Sequence, residues 1–242
     1  MTTQRRIQQH PAFILHHRPF RDSSQILDII SREHGKLSLV ARGSRGAKSR
    51  LRGILRPFMP LSLSWFLKSD LGTLTGAEVN GAPLSLSGDA LLSGYYVNEL
   101  LLHFLHRHDP QPDIFDLYAR AIQSLAATES IAACLRHFEI ELLKQIGYAL
   151  NFDHESGSQQ GLQADQNYEY RIEQGPVAVN KTEGPLVFSG SLLTAIGAQE
   201  FDDPDTLRAA SRLMRDVIAF HLGGKELKSR KVLVDVHRNK NS

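Results

Sequence analysis

Six cations crowd into one short stretch of the chain: Arg42, Arg45, Lys48, Arg50, Arg52 and Arg56, with Gly43, Ser44, Gly46, Ser49 and Gly53 between them and no carboxylate. This is the composition of a loop that tracks a phosphate backbone. Glycines let the main chain approach phosphate oxygens, and each Lys or Arg that neutralises a phosphate releases condensed counterions, which gives affinity without reading bases. A charge run that merely solvates a surface carries both signs, and this one does not. Lys36, just upstream, is grouped with the six as a candidate nucleic-acid contact. A second basic cluster, Lys225, Lys228, Arg230 and Lys231, follows Gly223-Gly224, with Arg208, Arg212 and Arg215 before it. Asp216 and Glu226 dilute that cluster, which leaves nucleic acid, an acidic peptide and ordinary solvated surface all open.

Aromatic side chains are what unpaired bases stack on, and few lie near the basic stretch: Phe13, Phe20, Phe58, Trp65 and Phe66. Trp65 keeps step with Leu61, Leu63 and Leu67 and is assigned to a core; Phe66 falls on the opposite face and is the stacking candidate. Sparse aromatics favour backbone-dominated binding that admits duplex as well as single strands.

No catalytic pattern withstands a check of its mechanics. Gly43-x-x-Gly46-Ala47-Lys48-Ser49 is two residues too short between its glycines for a phosphate-binding P-loop, and Ala47 separates the second glycine from lysine. His103, His106 and His108 cluster, as do Cys134 and His137, but a zinc site needs ligands that converge, and both groups read as core or exposed residues. The chain has no Gly-x-Ser-x-Gly and no His-Glu-x-x-His. The expectation is therefore no catalytic residue, no cofactor and no metal. Two other readings stay open: an RNA-binding barrel protein, and a metal-dependent nuclease hidden behind the His cluster.

A charge of +2, from 28 Lys and Arg against 26 Asp and Glu, is mild, so the case for an acidic partner rests on where charge sits. The single cysteine forbids an intrachain disulfide and suits a reducing compartment. Residues 1–10 are polar and lead into no apolar core of signal-peptide length, and no run reaches the roughly 18 apolar residues of a membrane span. A cytoplasmic, nucleoid-associated protein without a membrane partner is expected.

The elements that must position the basic stretch change character along the chain. Period-two runs at residues 12–16, 24–31, 36–42, 61–67 and 72–79, with turn residues at Arg18-Pro19, His34-Gly35 and Asp70-Leu71-Gly72, predict five short strands. Five antiparallel strands with one long basic connection between the third and fourth suit a closed barrel of the oligonucleotide-binding (OB) type, with an open sandwich as the rival. Asn80-Gly81-Ala82-Pro83 marks a boundary, giving a nucleic-acid-binding domain over residues 1–80 and a helical domain over 81–242. In the latter the period becomes 3.6. Leu91, Tyr95, Leu102 and Leu105 predict the face of a first helix, Ile114, Leu117, Ala121 and Leu125 a second, and Ile131, Leu135, Phe138 and Leu142 a third. Residues 151–167 predict a polar loop, and Tyr168, Tyr170 and Ile172 with Gly175-Pro176, Val177 and Val179 a small hairpin, so that residues 151–188 form an insertion. Asp203-Pro204 caps a last long helix carrying Leu207, Ala210, Met214 and Val217. The fold class is α+β: an N-terminal five-stranded barrel, then a mostly helical domain with a small β-hairpin insertion.

Specific runs add a resemblance. AFILHHRP at residues 12–19, EHGKLSLVARGSR at 33–45 and LRPF at 55–58 resemble the amino-terminal barrel of the bacterial RecO family of DNA repair proteins. RHFE at 136–139, GYALNF at 147–152, DTLRAA at 205–210 and LGGKELKSR at 222–230 resemble the family's helical domain, in the same order. The resemblance implies a recombination mediator without an active site. Such a protein binds single- and double-stranded DNA, anneals strands, engages the acidic tail of single-strand-binding protein, and with RecR helps load RecA. It places the basic segment from Arg42 to Arg52 on the DNA face. Arg136, Lys144, Lys225 and Lys228 are the cations expected to rim a groove for the acidic tail. Many members carry a four-cysteine zinc element after the Gly-Tyr segment; here residues 151–167 hold His154 and no cysteine, so a metal-free loop is expected.

Overall fold

Alternating leucines and isoleucines near the N-terminus can be buried only if their strands close on one another, and that is the arrangement in the computed structural model of the chain. It describes residues 5–127, 130–158, 160–232 and 236. Strands β1 (Arg5–Phe20), β2 (Ser24–Ser31), β3 (Gly35–Ala41), β4 (Leu61–Leu67) and β5 (Leu71–Val79) form a closed barrel in the order β1-β2-β3-β5-β4. Closure settles the choice between barrel and sandwich. Every neighbour is antiparallel except β3 and β5, which run parallel through Ser38↔Leu71, Leu39↔Gly72 and Val40↔Thr73. At Gly72 a Cβ would lie 2.6 Å from a Leu39 methyl, so this short pairing needs a residue without a side chain.

The barrel interior is the period-two pattern made solid: Ile14, Leu27, Ile29, Leu37, Leu39, Leu61, Leu63 and Trp65 are all essentially inaccessible. Burying each such side chain is worth about 1.5–3 kcal/mol. The first strand is far longer than residues 12–16. Its polar N-terminal half pairs with β4 and its apolar half with β2. Alternation exposes only the apolar half to sequence reading, because the polar half is held by backbone pairing.

Helices α1 (Gly88–Phe104) and α2 (Pro112–Ala127) belong to the same compact unit as the barrel, together with the segment from Leu227. The expected face of α2 holds, with Ile114, Leu117, Ala121 and Leu125 buried. That of α1 does not: Tyr96, Val97, Leu100 and Leu101 are buried while Tyr95 is 42 % exposed. This helix is apolar nearly all round, so periodicity cannot choose its face. The choice is made by contacts. Buried Asn98 donates to the Leu15 carbonyl (2.8 Å) and accepts from the Tyr118 hydroxyl (2.8 Å), and Phe13 packs on Phe115 and Tyr118.

The second unit holds α3 (Ile131–Gln145), β6 (Asn167–Arg171), β7 (Gly175–Ala178), β8 (Val187–Ser189), α4 (Gly190–Gly197) and α5 (Pro204–His221). The hairpin β6–β7 turns at Arg171↔Gly175, as read. The third strand β8 and helix α4 were not foreseen: three and eight residues are too short to show a period. Residue 159 of the preceding loop lies outside the described residues. Asp203 caps α5, accepting from the Thr206 N–H, and Pro204 opens it.

Candidate nucleic-acid interface

The basic stretch occupies residues 42–60, between β3 and β4, and it is a fastened loop. Its backbone folds into successive turns, Gly46 N–H on the Gly43 carbonyl (3.1 Å), Ser49 on Gly46 (3.0 Å) and Arg52 on Ser49 (3.3 Å). Gly43 takes φ +63°, a conformation that favours glycine. At the near end the buried Ser44 hydroxyl donates to the Ala41 carbonyl (2.9 Å). Arg45 reaches the β1–β2 turn through its N–H on the Ser23 carbonyl (2.8 Å) and its guanidinium on the Arg21 carbonyl (3.4 Å). At the far end Leu55 and Met59 enter the barrel core, with Leu51 and Ile54 packed against it.

The apolar members of the stretch therefore anchor it, and the cations are what remains outside. Arg42, Arg45, Lys48, Arg50, Arg52 and Arg56 are all exposed. Among the described residues none of the six pairs with a carboxylate. Lys36 is placed differently. Its ammonium is half-buried and donates to the Leu102 carbonyl (2.6 Å), and burial, with Arg107 nearby, pushes its pKa down. It fastens the β2–β3 region within its unit and does not join the exposed row.

Strand register brings further groups to the start of this loop. Arg6 is opposite Phe66, Phe66 opposite Thr73, and Thr73 opposite Val40, two residues before Arg42. Here lies a cavity of about 310 Å³ lined by Arg42, Phe66, Lys68, Leu71 and Thr73. Phe66 points out of the barrel while Trp65, its neighbour, is fully buried, as the alternation requires. The Arg6 guanidinium sits 5.5 Å from the Phe66 ring centre, and Arg21 is 5.2 Å from that of Phe20. Arg6, Arg21 and Lys68 were missed as site residues because each lies outside the basic stretch in sequence. Lys68 follows Phe66 by two residues and lines its cavity, whereas only the ladder brings Arg6 to Phe66.

The expected tail-binding cations are not equivalent. Arg136 is mostly buried and pairs with fully buried Glu139 at 2.5 Å, on α3. Lys144 is exposed and 4.0 Å from Glu141, and Lys225 is exposed. Lys228 belongs to the barrel-bearing unit, where its N–H and that of Ser229 bind the Glu99 carboxylate at 3.0 and 2.9 Å. His103, His106 and His108 are all exposed, and burial pushes the Cys134 thiol pKa up, away from reactivity. No helix among the described residues is long and apolar enough to cross a membrane.

The fold is thus a closed OB-type barrel that carries an exposed cationic loop beside an outward phenylalanine. Family comparison goes further. The model described as Recombination protein O N terminal matches residues 5–82, and that for Recombination protein O C terminal matches residues 85–231. The chain is 41% identical over 240 residues to a DNA repair protein RecO of Dechloromonas aromatica, covering 98% of this chain and 99% of that one. It is 40% identical over 235 residues to the RecO of Nitrosococcus oceani, covering 96% and 95%. With that of Photobacterium profundum it shares 39% identity over 229 residues, 94% of this chain and 96% of the relative. The chain belongs to the RecO family of DNA repair and recombination proteins.

Proposed function

We propose that this protein is a recombination mediator that works by binding and not by catalysis. Its barrel loop holds single- and double-stranded DNA through phosphate contacts from Arg42, Arg45, Lys48, Arg50, Arg52 and Arg56, with Arg6 and Lys68 flanking a base stacked on Phe66. With DNA held there, it anneals complementary strands and, together with RecR, helps load RecA onto DNA coated by single-strand-binding protein. The acidic tail of that protein is held by exposed cations, Lys144 and Lys225 among them. The observation that carries the reading is the row of six exposed cations with no carboxylate partner among the described residues, on a loop whose apolar residues fix it to the barrel.

The test is a salt titration of fluorescent single-stranded DNA binding, wild type beside a variant with Arg45, Lys48 and Arg50 changed to Glu. At about 0.7 in slope per phosphate contact on single strands, losing three contacts makes the plot of log affinity against log salt shallower by about 2. An unchanged slope and affinity would remove the loop from the interface. Equal affinity for an RNA oligomer of the same sequence would favour a broader single-strand binder over a DNA mediator.

A further inference from the structure

Two histidines and a carboxylate that the sequence scatters meet where β1 passes the turn between β2 and β3. The donor atoms of His10, Glu33 and His34 all lie within 4.8 Å of one another. His10 Nδ1 is 3.2 Å from a Glu33 carboxylate oxygen, and the two imidazole rings are 4.5 Å apart at 72°. Behind them stands Trp65, fully buried, its ring 5.3 Å from that of His34 and 6.0 Å from that of His10. Its indole N–H finds no acceptor among the described residues, which leaves a buried donor beside the cluster.

Both sides of the cluster are held in place by features unnecessary for a plain barrel. On β1 the register against β4 shifts between Ile7 and His10, and Gln9 takes φ +54° with its N–H on the Ser64 hydroxyl (3.0 Å). Such a bulge re-aims the side chain that follows it. On the other side Arg32 grips Asp116 through two hydrogen bonds of 3.1 and 2.9 Å, and its N–H binds the Pro11 carbonyl (3.3 Å). Gly35, at φ +64°, lies so close to Asp109 that a Cβ would meet its carbonyl oxygen at 2.1 Å. The backbone around the two histidines is thus fixed before any ligand arrives, which lowers the cost of assembling a coordination shell.

We infer that His10, Glu33 and His34 form a binding site for a divalent transition-metal ion of the zinc and copper type, with a remaining position open to solvent. Two imidazoles and one carboxylate suit such ions, whereas magnesium and calcium ask for an oxygen shell. The inference is independent of the DNA-binding reading, and it departs from the expectation of no metal. Residues 10, 33 and 34 form no spacing motif, so only the barrel's closure brings them together.

Trp65 is the single tryptophan and stands against this site, so its fluorescence is a local reporter. The full chain is titrated with Cu²⁺ while Trp fluorescence is followed, and Zn²⁺ is then added as competitor. The expected result is quenching that saturates at one equivalent and is reversed by a large excess of Zn²⁺, which binds such donors more weakly than Cu²⁺. His10→Ala and His34→Ala should each weaken it by about tenfold or more, and a His103→Ala/His106→Ala/His108→Ala variant should leave it unchanged. Non-saturating quenching, or equal affinity in wild type and His34→Ala, would reduce the cluster to a His10–Glu33 ion pair. Should either histidine variant fail to fold, exposed Glu33→Gln decides: a weaker Cu²⁺ affinity supports the site and an unchanged one overturns it.

Discussion

The barrel loop and the second unit both carry cations, but they use them in opposite ways. In the second unit Arg136 pairs with Glu139, Lys144 with Glu141, Arg171 and Lys181 with Glu169, and Arg208 with Asp205. Arg212 donates to the Val187 carbonyl (2.9 Å) and lies 4.5 Å from the centre of the Phe188 ring. On the barrel loop the anchoring is done by Leu55, Met59 and backbone hydrogen bonds, and the six cations are left without carboxylates among the described residues. Net charge separates the two regions as well: residues 42–60 carry six cations and no carboxylate, whereas residues 128–226 carry eight cations against 15 carboxylates. They also differ in how many cations already have a partner: most of those in the second unit do, Lys225 being an exception, and a cation without a carboxylate is one available to a phosphate.

The largest effect expected from this contrast is on stability. Arg136→Ala takes the ion-pair partner from the fully buried Glu139 carboxylate, and removing one partner of a buried pair costs about 3–5 kcal/mol. Arg50→Ala, at an exposed position, should stay within about 0.5 kcal/mol of wild type. Urea unfolding of the two variants side by side checks this; similar midpoints would erase the distinction. A smaller effect belongs to Phe66. If a base stacks on it, Phe66→Ala should lower single-strand affinity by about 1–3 kcal/mol and spare duplex affinity, since paired bases are not free to stack. Equal loss on both substrates would make Phe66 only part of the groove wall.

The smallest effect tests how the segment from Leu227 is held in the barrel-bearing unit. Burial pushes the Glu99 carboxyl pKa up, but the Ser229 hydroxyl and the N–H groups of Ser229 and Lys228 outweigh it, leaving the pKa lowered. A depressed folded-state pKa contributes stability that is present above the unfolded value of 4.5 and is lost as pH falls through the lower folded one. Amide exchange at Lys228 and Ser229 should therefore be protected at neutral pH and lose protection as the pH falls below 4.5, relative to neighbouring core amides. Glu99→Gln should remove that pH dependence; its persistence would assign it to another group.

Much of the barrel was legible because β-strand burial has a period of two residues. Leu61, Leu63 and Trp65 went inside and Phe66 outside by alternation alone. The basic loop was equally legible, since a one-signed charge run needs no partner to be noticed. What was illegible was non-local. The polar half of β1 is a strand only because β4 lies beside it. Arg6 reaches Phe66 through the ladder, Lys36 leaves the exposed row because the Leu102 carbonyl takes its ammonium, and Arg136 faces inward because Glu139 waits there.

By itself the sequence determined the fold class, the strand and helix types, the core of the barrel and the location of the uncompensated charge. These follow from local periodicity and from which residue types cluster along the chain. The tertiary structure alone decided which face of α1 is buried, which cations are already paired, and that His10, Glu33 and His34 stand within reach of one ion. Each of those depends on distances between residues far apart in the chain, and such distances are set by how the barrel closes and how the helices pack, which no local pattern records.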